Sequence, residues 1–162
     1  MKFLFPALSS FFAIIAQMIA WNSFSLFNLL DLPLLLVAYW AIYRSRIQAL
    51  FVGSLAGLFL DFVLGWPLGY NGFGKTVAAF VIGQSWKKFN TAEQSWVRFA
   101  IIAAASCLSS LSVIVLFWLM QRFSSKVFLG ASFLQALITA GAGIILFAVI
   151  ETYRKVQTNK AH

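Results

Sequence analysis

The chain is 162 residues long, 62% hydrophobic and only 10% charged, with a mean hydropathy of +0.89. Soluble domains use about 45–50% apolar residues, so the composition excludes an ordinary soluble domain and implies an integral membrane protein. The formal charge of +8 comes from 12 basic against 4 acidic residues. The basic residues are scattered over short connections instead of forming a patch, which argues against nucleic-acid binding and for a topology signal.

A hydrocarbon core of about 30 Å takes about 17–25 helical residues. Apolar segments approaching or reaching that length fall at residues 3–21, 25–43, 47–64, 70–86, 97–120 and 128–150. They are too long for the ~9–11-residue strands of a porin-type barrel. The predicted fold is therefore all-α: a compact bundle of about six transmembrane helices, forming one polytopic domain over residues 1–162 with a short charged tail at 151–162.

Taken in chain order, the first segment follows Met1-Lys2 and lacks a small-x-small cleavage site around Ala20-Trp21-Asn22, so it reads as a retained span. The second is interrupted by Asn28, Asp31 and Pro33. In the third, Gly53, Gly57, Asp61 and Gly65 recur every four residues and share one slowly drifting stripe of a helix. Gly53 and Gly57 form a GxxxG, which permits close helix approach; the stripe is where a partner would be sought, and packing against another helix of the same chain is the competing expectation. The connection from Gly65 to Gly74 also contains Pro67, Gly69 and Gly72, and reads as a tight outer turn. Lys75 interrupts the fourth segment.

A polar and basic linker, Lys87 to Trp96, leads to the fifth segment, which holds the lone Cys107, read as a core thiol. Ala16 and Ala20 in the first segment, Ser106 and Ser110 in the fifth, and Ser132, Gln135, Thr139 and Gly143 in the sixth form further small or polar stripes. Their polar members should point inward or toward another protein. Trp21, Trp66, Trp86 and Trp96 lie near predicted span ends and fit an aromatic belt.

With six spans, one side carries Lys2, Arg44, Arg46, Lys87, Lys88, Arg98, Arg154, Lys155 and Lys160, and the other Lys75, Arg122 and Lys126. The bias places both termini in the cytoplasm, with cytoplasmic loops attracted to anionic headgroups.

No catalytic, cofactor or metal constellation is apparent. The single histidine is His162, so no His-based triad or His-rich metal site can be assembled. Of the carboxylates, Asp61 alone lies well inside a segment; Asp31, Glu93 and Glu151 read as solvated. GFGKT at residues 72–76 superficially resembles part of a phosphate loop, and is set aside because Tyr70 is read at the place of the first glycine of GxxxxGK[ST] and because the segment is expected on the non-cytoplasmic side, away from ATP. Asp61 and Lys75, separated by the glycine-rich reversal, are expected to meet at similar depth on neighbouring helices; the competing expectation is that Lys75 snorkels to the interface.

Leu30-Asp31-Leu32-Pro33-Leu34-Leu35-Leu36, the basic turn Arg44-Ser45-Arg46, and the stretch from Gly53 to Gly83 resemble the MreD family of bacterial rod-shape-determining membrane proteins. Gly57-Leu58-Phe59-Leu60-Asp61 follows the family's GLxLD, and Pro67-Leu68-Gly69 its PLG turn. Leu30 stands before Asp31 where members often carry Pro, and the resemblance gives Lys75 no role.

The resemblance implies a non-enzymatic scaffold or regulator of the cell-elongation complex in the bacterial cytoplasmic membrane. It would control rod shape and lateral-wall peptidoglycan synthesis, with MreC as partner and MreB, RodA and a class B penicillin-binding protein in the wider assembly. It also implies a fold similar to the substrate-binding subunits of energy-coupling-factor vitamin transporters, which supply the alternative function. Interaction or structural roles fall to Gly53, Gly57, Asp61, Gly65, Pro67, Gly69 and Lys75.

Overall fold

The computed structural model describes residues 3–23, 30–88, 95–120 and 128–159. They form six helices: α1 (Leu4–Ser23), α2 (Leu32–Tyr43), α3 (Arg46–Leu64), α4 (Tyr70–Lys88), α5 (Ser95–Leu119) and α6 (Phe128–Asn159). Cross-helix contacts establish an up-and-down order. Phe5 meets Trp40 and Phe3 meets Phe51, so α1 starts where α2 ends and α3 begins. At the opposite end, Trp66 meets Phe117. One end of the bundle therefore gathers Arg44, Arg46, Lys87, Lys88, Arg98, Arg154 and Lys155. Lys2, Lys160, Arg122 and Lys126 lie outside the described residues.

Three helical segments are long and apolar enough to cross a membrane: Leu4–Asn22, Arg46–Leu64 and Phe99–Leu119. The second helix is shorter than the predicted segment at 25–43. At 12 residues, α2 is about 18 Å long, short of the ~30 Å hydrocarbon core. It begins at Leu32, later than the sequence pattern predicts, and Asn28 lies outside the described residues. Instead of facing lipid, α2 is the buried centre: Leu34, Val37 and Ala38 have no exposure, and Ala49, Val52, Ala78, Ile82, Ile102, Ala140 and Phe147 close around it. A helix apolar on all sides belongs in such a position.

The α2–α3 junction is a sharp reversal: Arg44 is extended, and the Ser45 hydroxyl accepts the Gln48 N–H at 3.3 Å to cap α3. At the far end of α3, Gly65 adopts φ 65°. Its N–H reaches the Phe62 carbonyl, and Trp66 N–H reaches the Asp61 carbonyl at 2.9 Å. This is a Schellman closure, which favours glycine at the left-handed position. Gly69 is the second left-handed residue, at φ 107°. The predicted turn from Gly65 to Gly74 is thus shorter, ending at Gly69, because α4 already starts at Tyr70.

The third-helix stripe packs within the chain. A Cβ on Gly53 would stand 2.8 Å from the Lys75 carbonyl oxygen, and one on Gly57 would stand 2.4 Å from Asn71 and Gly72 backbone atoms. The surface expected to receive a partner is covered by α4. Gly74, on another face of α4, lies against Ser109 of α5, where a Cβ would meet the carbonyl oxygen at 2.8 Å. Small residues thus let α4 lie close to both neighbours.

Gly57→Leu should therefore destabilise the fold by more than the ~1–3 kcal/mol typical of overpacking, since fixed backbone blocks the new side chain. Gly141→Ala, where a Cβ meets nothing within 4 Å, should be neutral or stabilising by up to about 1 kcal/mol from helix propensity. Thermal unfolding in detergent checks both; a Gly57→Leu variant as stable as the parent would contradict the packing.

Candidate functional site

The N-terminus of α2 is the polar centre of the molecule. A helix start leaves backbone N–H groups without intrahelical partners, and inside an apolar bundle each needs one. The Leu32 N–H donates to the Gln17 side-chain carbonyl at 2.9 Å, and Pro33 has no N–H. The Leu34 N–H donates to Asp31 Oδ1 at 3.0 Å, and the Leu35 N–H begins the helical ladder at the Asp31 carbonyl. Asp31 is a side-chain N-cap, with proline in the first turn where its missing donor costs nothing. The Gln17 amide also donates to the Leu30 carbonyl at 2.8 Å, so one side chain from α1 clasps both sides of Asp31. From α6, the Thr139 hydroxyl accepts the Asp31 N–H at 3.2 Å.

The second oxygen of Asp31 accepts a hydrogen bond from Lys75 Nζ at 2.5 Å, forming a buried ion pair. Lys75 is 1% exposed. It belongs to the fourth helix yet points at the second, so the network ties together α1, α2, α4 and α6.

Asp61 forms a separate centre. Fully buried, it accepts from the Gly69 N–H at 2.9 Å, the Asn71 N–H at 3.0 Å and the Asn71 side-chain amide at 2.9 Å, with a longer contact to the Gly72 N–H at 3.4 Å. A carboxylate from the end of α3 thereby caps the start of α4, where the helix dipole and free N–H groups favour negative charge. Beside it, the Tyr70 ring stacks on Phe117 with centroids 4.7 Å apart.

The expected Asp61–Lys75 pair does not form. The turn is short enough that α4 starts level with Asp61, leaving Lys75 about 7 Å deeper at 1.5 Å per residue. Lys75 does not snorkel either; it finds Asp31, which the sequence reading placed in solvent. Counting Lys75 among the outer-loop cations is likewise corrected, since it is interior.

Counted from Gly69, the residues through Thr76 do satisfy the full GxxxxGK[ST] spacing, so geometry must decide against a phosphate loop. The segment is helical from Tyr70, its lysine is consumed by Asp31, and its N-terminal amides are occupied by Asp61. Among the described residues no three His, Cys, Asp or Glu side chains come together as a metal site.

The other predicted residues are placed as follows. Gly53 and Gly57 contact α4, while Gly65 and Gly69 make the turn and Pro67 is exposed within it. Cys107 is free and half-buried in α5; Ser106 and Thr139 are buried. Ala16 is exposed on α1. The side chains of Trp96, Ser132 and Glu151, and residues Glu93 and His162, lie outside what is described. Sequence reasoning missed Gln17, Asp31 and Asn71. The signal for Asp31 was Asp-Leu-Pro before an apolar run, a helix-start pattern.

The family model of the rod shape-determining protein MreD matches residues 1–156. The chain belongs to the MreD family. Membership connects this helical architecture to rod-shape determination and cell shape, the family's role. No curated protein and no solved structure matches the chain, and nothing found supports the transporter-subunit alternative.

For this MreD-family chain, Asp31→Asn or Lys75→Met alone should cost about 3–5 kcal/mol, because each strands a buried charge. The double variant should be less destabilised than the sum of the singles. Asp61→Asn combined with Lys75→Met should be additive to within ~0.5 kcal/mol, because the two share no partner. Thermal unfolding cycles in detergent distinguish these outcomes; additivity for Asp31 with Lys75 would reject the ion pair as an energetic unit.

Proposed function

We propose that the chain is a non-enzymatic membrane scaffold or regulator of the cell-elongation complex, acting on lateral-wall peptidoglycan synthesis through contacts with partner proteins. The carrying observation is the MreD match over residues 1–156. The site geometry agrees with a structural role: Asp31, Asp61 and Lys75 hold the chain's own helices together. Polar interior groups therefore build the scaffold, and partner helices meet its outer faces.

Those faces are apolar. On α1, Phe5, Leu8, Phe12, Ile15 and Ile19 are exposed, and on α6 so are Ile145 and Val149. In this reading MreC docks on the bundle, with MreB, RodA and a class B penicillin-binding protein in the wider complex. The basic end faces the cytoplasm, where short loops rich in Lys and Arg are retained. The chain is multi-pass in the bacterial cytoplasmic membrane with cytoplasmic termini, and the turn containing Pro67 lies outside.

Affinity purification of the tagged chain from native membranes should recover MreC, and its expression should restore rod shape to cells lacking their own MreD. In a Cys107→Ser background, Gln157→Cys should react with a membrane-impermeant thiol reagent only after the membrane is opened, and Leu68→Cys should react in intact spheroplasts. Failure of MreC recovery together with failed complementation by well-expressed protein would overturn the scaffold reading. Reversed labelling would overturn the orientation.

A further inference from the structure

The strong polar ties of the bundle lie within its first four helices. Gln17 joins α1 to the start of α2, the Asp31–Lys75 ion pair joins α2 to α4, and the Asp61 cradle with the close approach at Gly53 and Gly57 joins α3 to α4. Among the described residues, α5 packs mainly on α4 and α6, and α6 on α5 with a smaller contact to α2. Ile102, Ala140 and Phe147 make that contact apolar where they close on the core around α2. Apolar contact is non-directional, so it permits sliding that an ion pair in one register does not.

Two imperfections lie on the seam between these halves, both between α4 and α5. At the outer end Tyr70 is 6% exposed and stacks on Phe117, yet among the described residues its hydroxyl is the buried side-chain group with no hydrogen-bond partner. A polar group buried unpaired destabilises the state that buries it. Toward the basic end the same two helices part into a groove of about 330 Å³ lined by Val81, Ser85, Val97, Ala100, Ile101 and Ala104. Between the two, Gly74 lies so close to Ser109 that a Cβ would stand 2.8 Å from its carbonyl oxygen. This backbone contact, with no side chain at Gly74 to interlock, can serve as a fulcrum. Along α5, Phe117 lies about 12 Å from Ser109 on one side and Val97 about 18 Å on the other. The hydrogen bond from the Asp31 N–H to the Thr139 hydroxyl of α6 sits near the same level, since Lys75, which holds Asp31, adjoins Gly74. Rocking about that level leaves this tie in place.

We propose that α5 and α6 rock as one body on α1–α4 about the Gly74–Ser109 contact, closing the groove at the basic end as Phe117 lifts from Tyr70 and frees its hydroxyl. The resting arrangement keeps the aromatic stack and the open groove; the rocked one exchanges both, a shear between two packed arrangements. One motion relieves both imperfections, which is why they belong to one device. A partner or lipid touching both bodies would select a setting by its differential affinity for the two. The device requires only the helix packing, so it is tested apart from the scaffold reading.

In a Cys107→Ser background in lipid nanodiscs, Ser85→Cys with Ala104→Cys tests closure across the groove, and oxidation should join them within one chain. Tyr70→Phe removes the unpaired hydroxyl from the resting state, so it should slow that reaction by about fivefold or more with no loss of thermal stability. Phe117→Ala removes the stack and should speed it. Spin labels at Leu68→Cys and Trp118→Cys, exposed positions on opposite sides of the seam, should report two distances, the longer depleted by Tyr70→Phe. Labels at Ile47→Cys and Gln84→Cys, exposed positions within α1–α4, should report one. The spin-label pairs test the motion even if Phe117→Ala fails to fold. Absence of the intrachain disulfide, a rate unchanged by Tyr70→Phe, or a single distance between Leu68→Cys and Trp118→Cys would overturn the proposal. A disulfide formed between two chains in place of one within the chain would overturn it as well.

Discussion

The start of α2 imposes the constraint on which the rest of the bundle depends. A helix that begins inside an apolar interior must satisfy its first N–H groups without water, and here that requirement engages the helix's own cap, Asp31, and side chains from three other helices. Gln17 and Asp31 meet the backbone donors directly, while Lys75 neutralises the carboxylate that does the capping. A lone charge at mid-membrane depth costs about 2.5–3.5 kcal/mol on insertion scales. The pair shares that cost, and Thr139 takes the remaining Asp31 N–H. Local capping chemistry thus dictates the arrangement of four helices.

Asp61 solves the same problem at a second helix start, but with backbone and amide donors in place of a cation. Its carboxylate accepts from Gly69 and Asn71, so α3 and α4 are joined by more than the turn between them. Close approach at Gly53 and Gly57 brings the helices near enough for one to cap the other. The two centres differ in sensitivity. The ion pair depends on a flexible lysine reaching across from another helix, whereas the Asp61 cradle is built from residues within eleven positions of it.

Much of this order was legible in the residues. The apolar lengths near residues 3–21, 47–64 and 97–120 anticipated α1, α3 and α5, because a long hydrophobic run in lipid is helical almost by necessity. The GxxxG foretold close packing but not its occupant, since spacing shows which face is small without showing what lies against it. The Asp31–Lys75 contact was hidden for a related reason. It joins residues 44 apart, and only the central placement of α2 brings them together. Hydropathy alone also overestimated α2, because an apolar segment reads the same whether its backbone faces lipid or is surrounded by other helices.

Helices in lipid gain little from burying one apolar face against another, so packing shape and polar contacts decide which helix sits where. In this chain the ionisable interior groups are committed to that task. A buried ion pair is often no more stabilising than a well-packed apolar substitute, and its value here lies in the register it enforces: only one pairing of α2 and α4 places Lys75 against Asp31. A bundle whose first four helices are fixed by such contacts can present an apolar exterior helix to a partner without rearranging them. Exposed Leu, Ile and Phe on α1 serve lipid and protein equally well, so discrimination falls to surface shape and to the charged or irregular ends of the bundle. Those ends are distinct in chemistry, basic residues at one and the exposed Pro67-Leu68 turn at the other, which gives the bundle two different surfaces for recognition.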